Sequence, residues 1–171
     1  PAEVANADGL ADDQRPGIDL DPQTVGDVGA YLRALALPRR EGLDPRGRAL
    51  FEQARCSDCH VPSLRTGAGA RPAVLASAEA EIYSDLLLHD MGAGLADGAA
   101  EGAAGPRDWR TAPLIGLRFF RSMLHDGRAR SLEEAVRMHR GDGSDANGSI
   151  DAFEALPAAD RAALLDYVGR L

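Results

Sequence analysis

Cys56, Cys59 and His60, in the stretch ARCSDCHVP, are the residues of this chain best suited by type and spacing to do chemistry, and they include both of its cysteines. Two thiols three residues apart, followed directly by a histidine, suit the covalent capture of one haem. Each thiol adds across one vinyl group, and the imidazole is held beneath the iron as an axial ligand. The competing uses lack their partners. A redox-active dithiol wants a βαβ setting, which the sequence does not predict. A structural zinc site needs four closed ligands, and there is no second cysteine pair. A disulfide across two residues leaves His60 without a role. The stretch points to one haem c, attached through Cys56 and Cys59 with His60 as the proximal ligand; a disulfide stays possible from these residues alone, and the wider layout of the chain decides.

A six-coordinate haem iron takes one further ligand, Met or His, and that choice helps to set its potential. The candidates are His89, His125, His139, Met91, Met123 and Met138. Two of them fall in LLLHDMG and two in RMHRGDG, and the residues alone leave the choice open.

The elements that must position these groups read mostly as helices. Asp21 and Pro22 signal a helix start, and Val25, Val28, Leu32 and Leu35 follow on one face until Pro38. Asp44 and Pro45 open a second helix, with Leu50 and Phe51 on its apolar edge, that runs into the cysteines. Residues 61–82 read as a loop holding Pro62, Gly67, Gly69 and Pro72, with a weakly signalled short helix around 73–80. The Gly- and Ala-rich stretch 92–106 reads as a long surface loop. Ser131 with Glu134 is a capping box, and it opens a helix on which Val136 and His139 share a face while Met138 points elsewhere. GDGSDANGS breaks the chain again. Its Asp142, Asp145, Asn147 and Asp151 fail the EF-hand template, so a loop is expected there rather than a metal site. The last segment, LPAADRAALLDYVGRL, places Leu156, Ala163, Leu164, Tyr167, Val168 and Leu171 along one stripe. No strand pattern and no internal repeat is evident. The expected fold class is mostly α with long irregular loops: an extended N-terminal arm over 1–20, then a single domain over 21–171.

The composition narrows the partners. The formal charge is −8, and all nineteen basic residues are arginine. An acidic surface argues against nucleic acid or anionic lipid as the main partner; it suits a basic protein partner, or serves simply to keep the protein in solution. No apolar run approaches the roughly 20 residues that cross a bilayer. The chain opens at Pro1 rather than Met, so the lack of a leader is no argument for the cytoplasm.

The layout resembles c-type cytochrome domains, in which a helix with a glycine and an aromatic, here Gly47 and Phe51, leads into the attachment motif. A C-terminal helix with an aromatic near its end, here Tyr167, then packs across it. A longer likeness rests on CSDCHVPSLRTG, IYSDLLLHDMGAGLADG, WRTAPLIGL, MLHDGRARSLEEAVRMHRGDG and the final LPAADRAALLDYVGRL, in that order. Together these resemble the C-terminal haem domain of the bacterial di-haem c-type oxidoreductases, sometimes labelled thiol oxidoreductases, which are similar to the di-haem cytochrome c peroxidases. The likeness spans roughly residues 19–171.

The resemblance implies a cytochrome c-like helical haem domain. It implies that the distal ligand follows the HDG…LEEAV segment, at His139, giving His60–His139 ligation with Met138, Met91 and Met123 as alternatives. It makes Arg128 and Arg110 candidate partners of the haem propionates, a role that suits the planar guanidinium. His125 with Asp126 is expected to be a structural turn pair, and Trp109 a packing residue near the haem edge. The implied function is electron transfer through one closed, six-coordinate haem. The alternatives are a haem peroxidase or oxidoreductase that is half of a di-haem enzyme, or a haem subunit of a larger redox complex. A redox protein, or a second haem domain, is the expected partner. Thioether attachment in bacteria takes place outside the cytoplasm, so the expected location is the periplasm.

Overall fold

The computed structural model describes residues 21–35 and 37–171. The chain divides into two units, Pro1–Ala36 and Leu37–Leu171. The arm expected over 1–20 lies outside the described residues.

In the first unit, α1 (Pro22–Ala34) begins as its sequence predicts. The Asp21 carboxylate accepts the Thr24 backbone N–H at 3.0 Å, and Pro22 occupies the first turn, where its missing N–H costs no hydrogen bond.

The second unit is organised by α2 (Pro45–Gln53) and α5 (Ala158–Gly169). Asp44 caps α2 by accepting from Arg46 N–H at 2.9 Å. The two helices cross at Gly47. A Cβ there would lie 2.4 Å from Cβ of Tyr167 and 3.0 Å from the Ala163 carbonyl oxygen, so only glycine allows the approach. Phe51, Phe153, Leu164, Tyr167 and Leu171 are fully buried around the crossing. Burial of such side chains contributes about 1.5–3 kcal/mol each. The stripe predicted for the last segment is this face: Leu156, Leu164, Tyr167, Val168 and Leu171 are all buried. Phe51, Tyr83 and Tyr167 meet with ring centroids 5.9–6.4 Å apart in edge-on and tilted geometry, the arrangement their quadrupoles favour.

Two further helices lead toward the C-terminus, α3 (Leu132–Met138) and α4 (Asn147–Ala155). The Ser131 hydroxyl accepts from Glu134 N–H at 3.1 Å as the capping box predicts. The Glu134 carboxylate reaches back to Arg130 N–H instead of that of Ser131.

The expectation of a mostly α fold is overturned. Among the described residues helix of all kinds accounts for only 41%, alongside two small antiparallel sheets. β1 (Leu64–Arg65) pairs with β2 (Glu79–Ala80), and β3 (Leu88–Asp90) with β4 (Asp108–Arg110). The physical reason lies in residues 61–130. Their frequent Pro and Gly and their left-handed turns, such as those at Ser77, Tyr83 and Leu86, interrupt any helical run. The backbone polar groups of the short extended pieces then pair with one another. The weakly signalled helix near 73–80 is a single 3₁₀ turn over Ala73–Leu75.

The β3–β4 register sets His89 opposite Trp109 and Asp90 opposite Asp108. Facing carboxylates would repel. Here Asp90 is paired with Arg107 at 2.9 Å, while Asp108 accepts the Gly105 N–H at 2.8 Å.

Candidate functional site

The attachment stretch is formed by a tight reversal after α2. Arg55 adopts a left-handed conformation (φ 60°), and Cys56–Asp58 makes one 3₁₀ turn. His60 N–H then returns to the Cys56 carbonyl at 2.9 Å. Both cysteines are free and partly buried. Burial pushes the Cys56 thiol up to about 11. Burial also raises the Cys59 thiol, helped by the charges of Asp85, Asp58 and Asp145. A catalytic dithiol needs a lowered pKa to present a thiolate. This pair is tuned in the opposite direction, which speaks against redox-thiol chemistry.

The segment 82–85 runs alongside the motif. Tyr83 N–H donates to the Pro62 carbonyl at 3.3 Å, Ser84 N–H to Val61 at 2.9 Å and Asp85 N–H to Cys59 at 2.9 Å. The Tyr83 carbonyl accepts from His60 Nδ1 at 3.1 Å. A carbonyl can only accept, so Nδ1 carries the proton and Nε2 keeps its lone pair. Burial drives the His60 pKa down to about 4, opposed by the Tyr83 carbonyl and lowered further by the charge that His139 would carry. His60 is therefore neutral near pH 7.

His139 is built the same way. It caps the C-terminal end of α3, directly after Met138, so the helix stops one residue short of carrying it. Its Nδ1 donates to the Ala135 carbonyl at 2.7 Å, and burial lowers its pKa. Its own carbonyl accepts from the buried Ser144 hydroxyl at 2.7 Å. Asn147 closes the loop by accepting from Gly141 N–H and donating to the Gly141 carbonyl. His60 and His139 thus each have Nδ1–H committed to a backbone carbonyl, and the Ala112 backbone also opposes the lowering at His60.

The other predicted residues divide. His89 Nε2 bonds the Asp85 carboxylate at 2.9 Å, and its Nδ1 lies 3.8 Å from Cys59 Sγ and 3.9 Å from Asp145. Cys59, Asp85 and His89 offer ligand atoms within 4.8 Å of one another, but a thioether at Cys59 would remove its thiolate from any such set. The backbone of Met91 pairs with Arg107 and that of Met123 with Ala129. His125 stacks on Trp109 with centroids 3.9 Å apart and planes 14° from parallel. Arg128 bonds the Asp126 carboxylate and the Gly94 carbonyl. Arg110 ends β4, exposed. In the 141–151 stretch, Asp145 accepts from Asp90 N–H and Asp151 from Arg140, so these carboxylates face protein donors.

Sequence reasoning missed Tyr83, Asp85 and Ser144. Asp85 stands four residues before His89, a spacing that would have pointed to it. Tyr83 acts through its carbonyl, which every residue has, and left no signal.

The residues present fit a c-type haem. Two free thiols stand at the turn, and two neutral imidazoles, each protonated at Nδ1, carry an unprotonated Nε2. No helix among the described residues is long and apolar enough to cross a membrane. The family model described as "di-haem oxidoreductase, putative peroxidase" matches residues 8–171. Compared with curated proteins and with solved structures, the chain matches none. With 164 of its 171 residues spanned by that match, the chain belongs to the di-haem oxidoreductase family.

Proposed function

We propose that the unit Leu37–Leu171 is an electron-transfer domain holding one haem c, attached through Cys56 and Cys59 and ligated by His60 and His139. The observation that carries this is the matched pair of buried imidazoles, each with Nδ1–H bound to a backbone carbonyl, which leaves the proton off Nε2. When bound, the haem supplies a one-electron ferric–ferrous couple.

The chain's own part is to fix the ligands. Tyr83 and Ala135 choose the tautomer of His60 and His139 and raise the basicity of their free nitrogens. Burial keeps both imidazoles neutral, so no proton has to leave before they can ligate. Two protein ligands close the iron to exogenous molecules, which suits an electron carrier better than a peroxide-binding centre. Two cysteines suffice for one attachment only, so in a di-haem system the second haem would be carried by another domain or chain. That supports a redox protein as the partner. The export that thioether attachment requires in bacteria supports a periplasmic location.

The test is a chain co-expressed with a haem-attachment system. Haem should stay with the chain on a denaturing gel, be retained less well by Cys56→Ser and Cys59→Ser, and give a low-spin bis-imidazole signal by low-temperature EPR. A sulfur-to-iron charge-transfer band would replace His139 with one of Met138, Met91 or Met123. High-spin ferric iron that turns over peroxide would favour the peroxidase reading of the family.

A further inference from the structure

Tyr83 is buried, yet it holds a left-handed backbone conformation (φ 53°), which is costly for a bulky side chain. That conformation lies in the segment whose backbone rungs to Pro62, Val61 and Cys59 stitch it along the motif, and it is Tyr83 whose carbonyl receives His60 Nδ1.

What holds the strained residue is its side chain. The Tyr83 hydroxyl is 2.7 Å from the Tyr167 hydroxyl, inside the protein and 84 positions along the chain. The Tyr83 ring packs edge-on to Phe51 at 5.9 Å, and the Arg40 guanidinium covers it at 5.0 Å from the centroid. Tyr167 is itself fixed, because Gly47 lets α2 press against its Cβ. Burial and the bond to Tyr83 push the Tyr167 phenol far above its ordinary range, so Tyr167 keeps its proton.

We propose that Tyr167 is a remote positioning residue for the proximal ligand: its hydroxyl, through Tyr83, holds the carbonyl that orients His60 and sets how strongly that carbonyl takes the Nδ1 proton. This rests on His60 being the haem ligand and deepens that reading. A stronger bond at Nδ1 gives the ligand more imidazolate character and favours ferric iron. Loosening the tyrosine pair should therefore raise the midpoint potential without altering any atom that meets the haem.

The experiment uses the full haem-loaded chain with ¹⁵N-labelled histidine. It compares Tyr167→Phe, Tyr83→Phe and Val168→Ala by redox titration and by solvent exchange of the His60 Nδ1 proton in the diamagnetic ferrous state. Tyr83→Phe keeps the carbonyl and removes only the hydroxyl. Val168→Ala thins the packing of the same helix and leaves the pair intact. Both tyrosine variants should raise the potential and speed exchange roughly five-fold, the effect of weakening one hydrogen bond. Val168→Ala should lower stability and move neither reading. The proposal fails if the tyrosine variants leave both readings unchanged, or if Val168→Ala shifts them equally, since packing alone would then explain the effect. If no haem is attached, the haem reading fails by itself, and the same proton-exchange comparison on the haem-free chain, which is also diamagnetic, still decides whether Tyr167 governs His60.

Discussion

His139 Nδ1 donates to the carbonyl oxygen of Ala135, one helical turn earlier, at 2.7 Å. The bond makes the imidazole the terminal cap of α3 and fixes its free nitrogen in one direction. Replacing His139 by Ala should convert the haem-loaded protein from low spin to high spin and open it to cyanide. Added imidazole should restore the low-spin spectrum. Loss of the bond to Ala135 at a partly buried cap should cost the folded chain about 1–2 kcal/mol. A low-spin spectrum that survives the change would assign the ligand elsewhere.

Gly47→Ala tests the crossing of α2 and α5. The added methyl would sit 2.4 Å from Tyr167 Cβ and 3.0 Å from a backbone oxygen, neither of which is the end of a flexible side chain. The helices must separate, at a cost of about 3 kcal/mol in urea unfolding. An unchanged midpoint would mean that the crossing is looser than described.

Ser144 is buried, donates to the His139 carbonyl at 2.7 Å and accepts from Ala146 N–H at 3.2 Å. Ser144→Ala leaves both partners short of a bond and should destabilise the chain by about 1–2 kcal/mol. It should also broaden the EPR features assigned to His139 ligation. Loss of stability with an unaltered spectrum would confine Ser144 to the loop.

Acid should loosen the same region. The Gly92 N–H donates to Asp90 at 2.8 Å and, with Arg107, holds its carboxyl below the usual range against partial desolvation. A lowered carboxyl stabilises the fold fully above its unfolded pKa of about 3.9. That contribution disappears as pH falls through the lower folded value. Amide exchange at Gly92 should accelerate across that acidic window in the parent chain, and Asp90→Asn should abolish the pH dependence. An equal acid response in the variant would point to another carboxylate.

How much of this was legible depended on the range of each signal. The caps at Asp21, Asp44 and Ser131 were readable because a cap and its helix are adjacent in sequence. The stripe on α5 was readable because Ala163, Leu164, Tyr167 and Val168 repeat at helical spacing. By contrast α4 was read as a break: its start lies in GDGSDANGS, and Ala146 supplies no side-chain cap. Strands of two or three residues are too short to show alternation, so β1 to β4 went unseen. Cys56, Cys59 and His60 announced themselves by spacing. Their supports did not, because His60 and His139 are both held by backbone carbonyls, which carry no residue signature.

Gly92 sits at φ 76° with its Cα side against another stretch of main chain. A Cβ there would come within 2.9 Å of the Asp142 carbonyl and 3.3 Å of Gly141. Asp145 N–H donates to the Asp90 carbonyl across the same seam, and Asp90 N–H returns to the Asp145 carboxylate. Residues 90–92 and 141–145 are therefore a single structural unit written in two places. A chimera that borrows LHDMG from a relative without its companion turn should misfold locally, whereas exchanging both together should give a chain that folds.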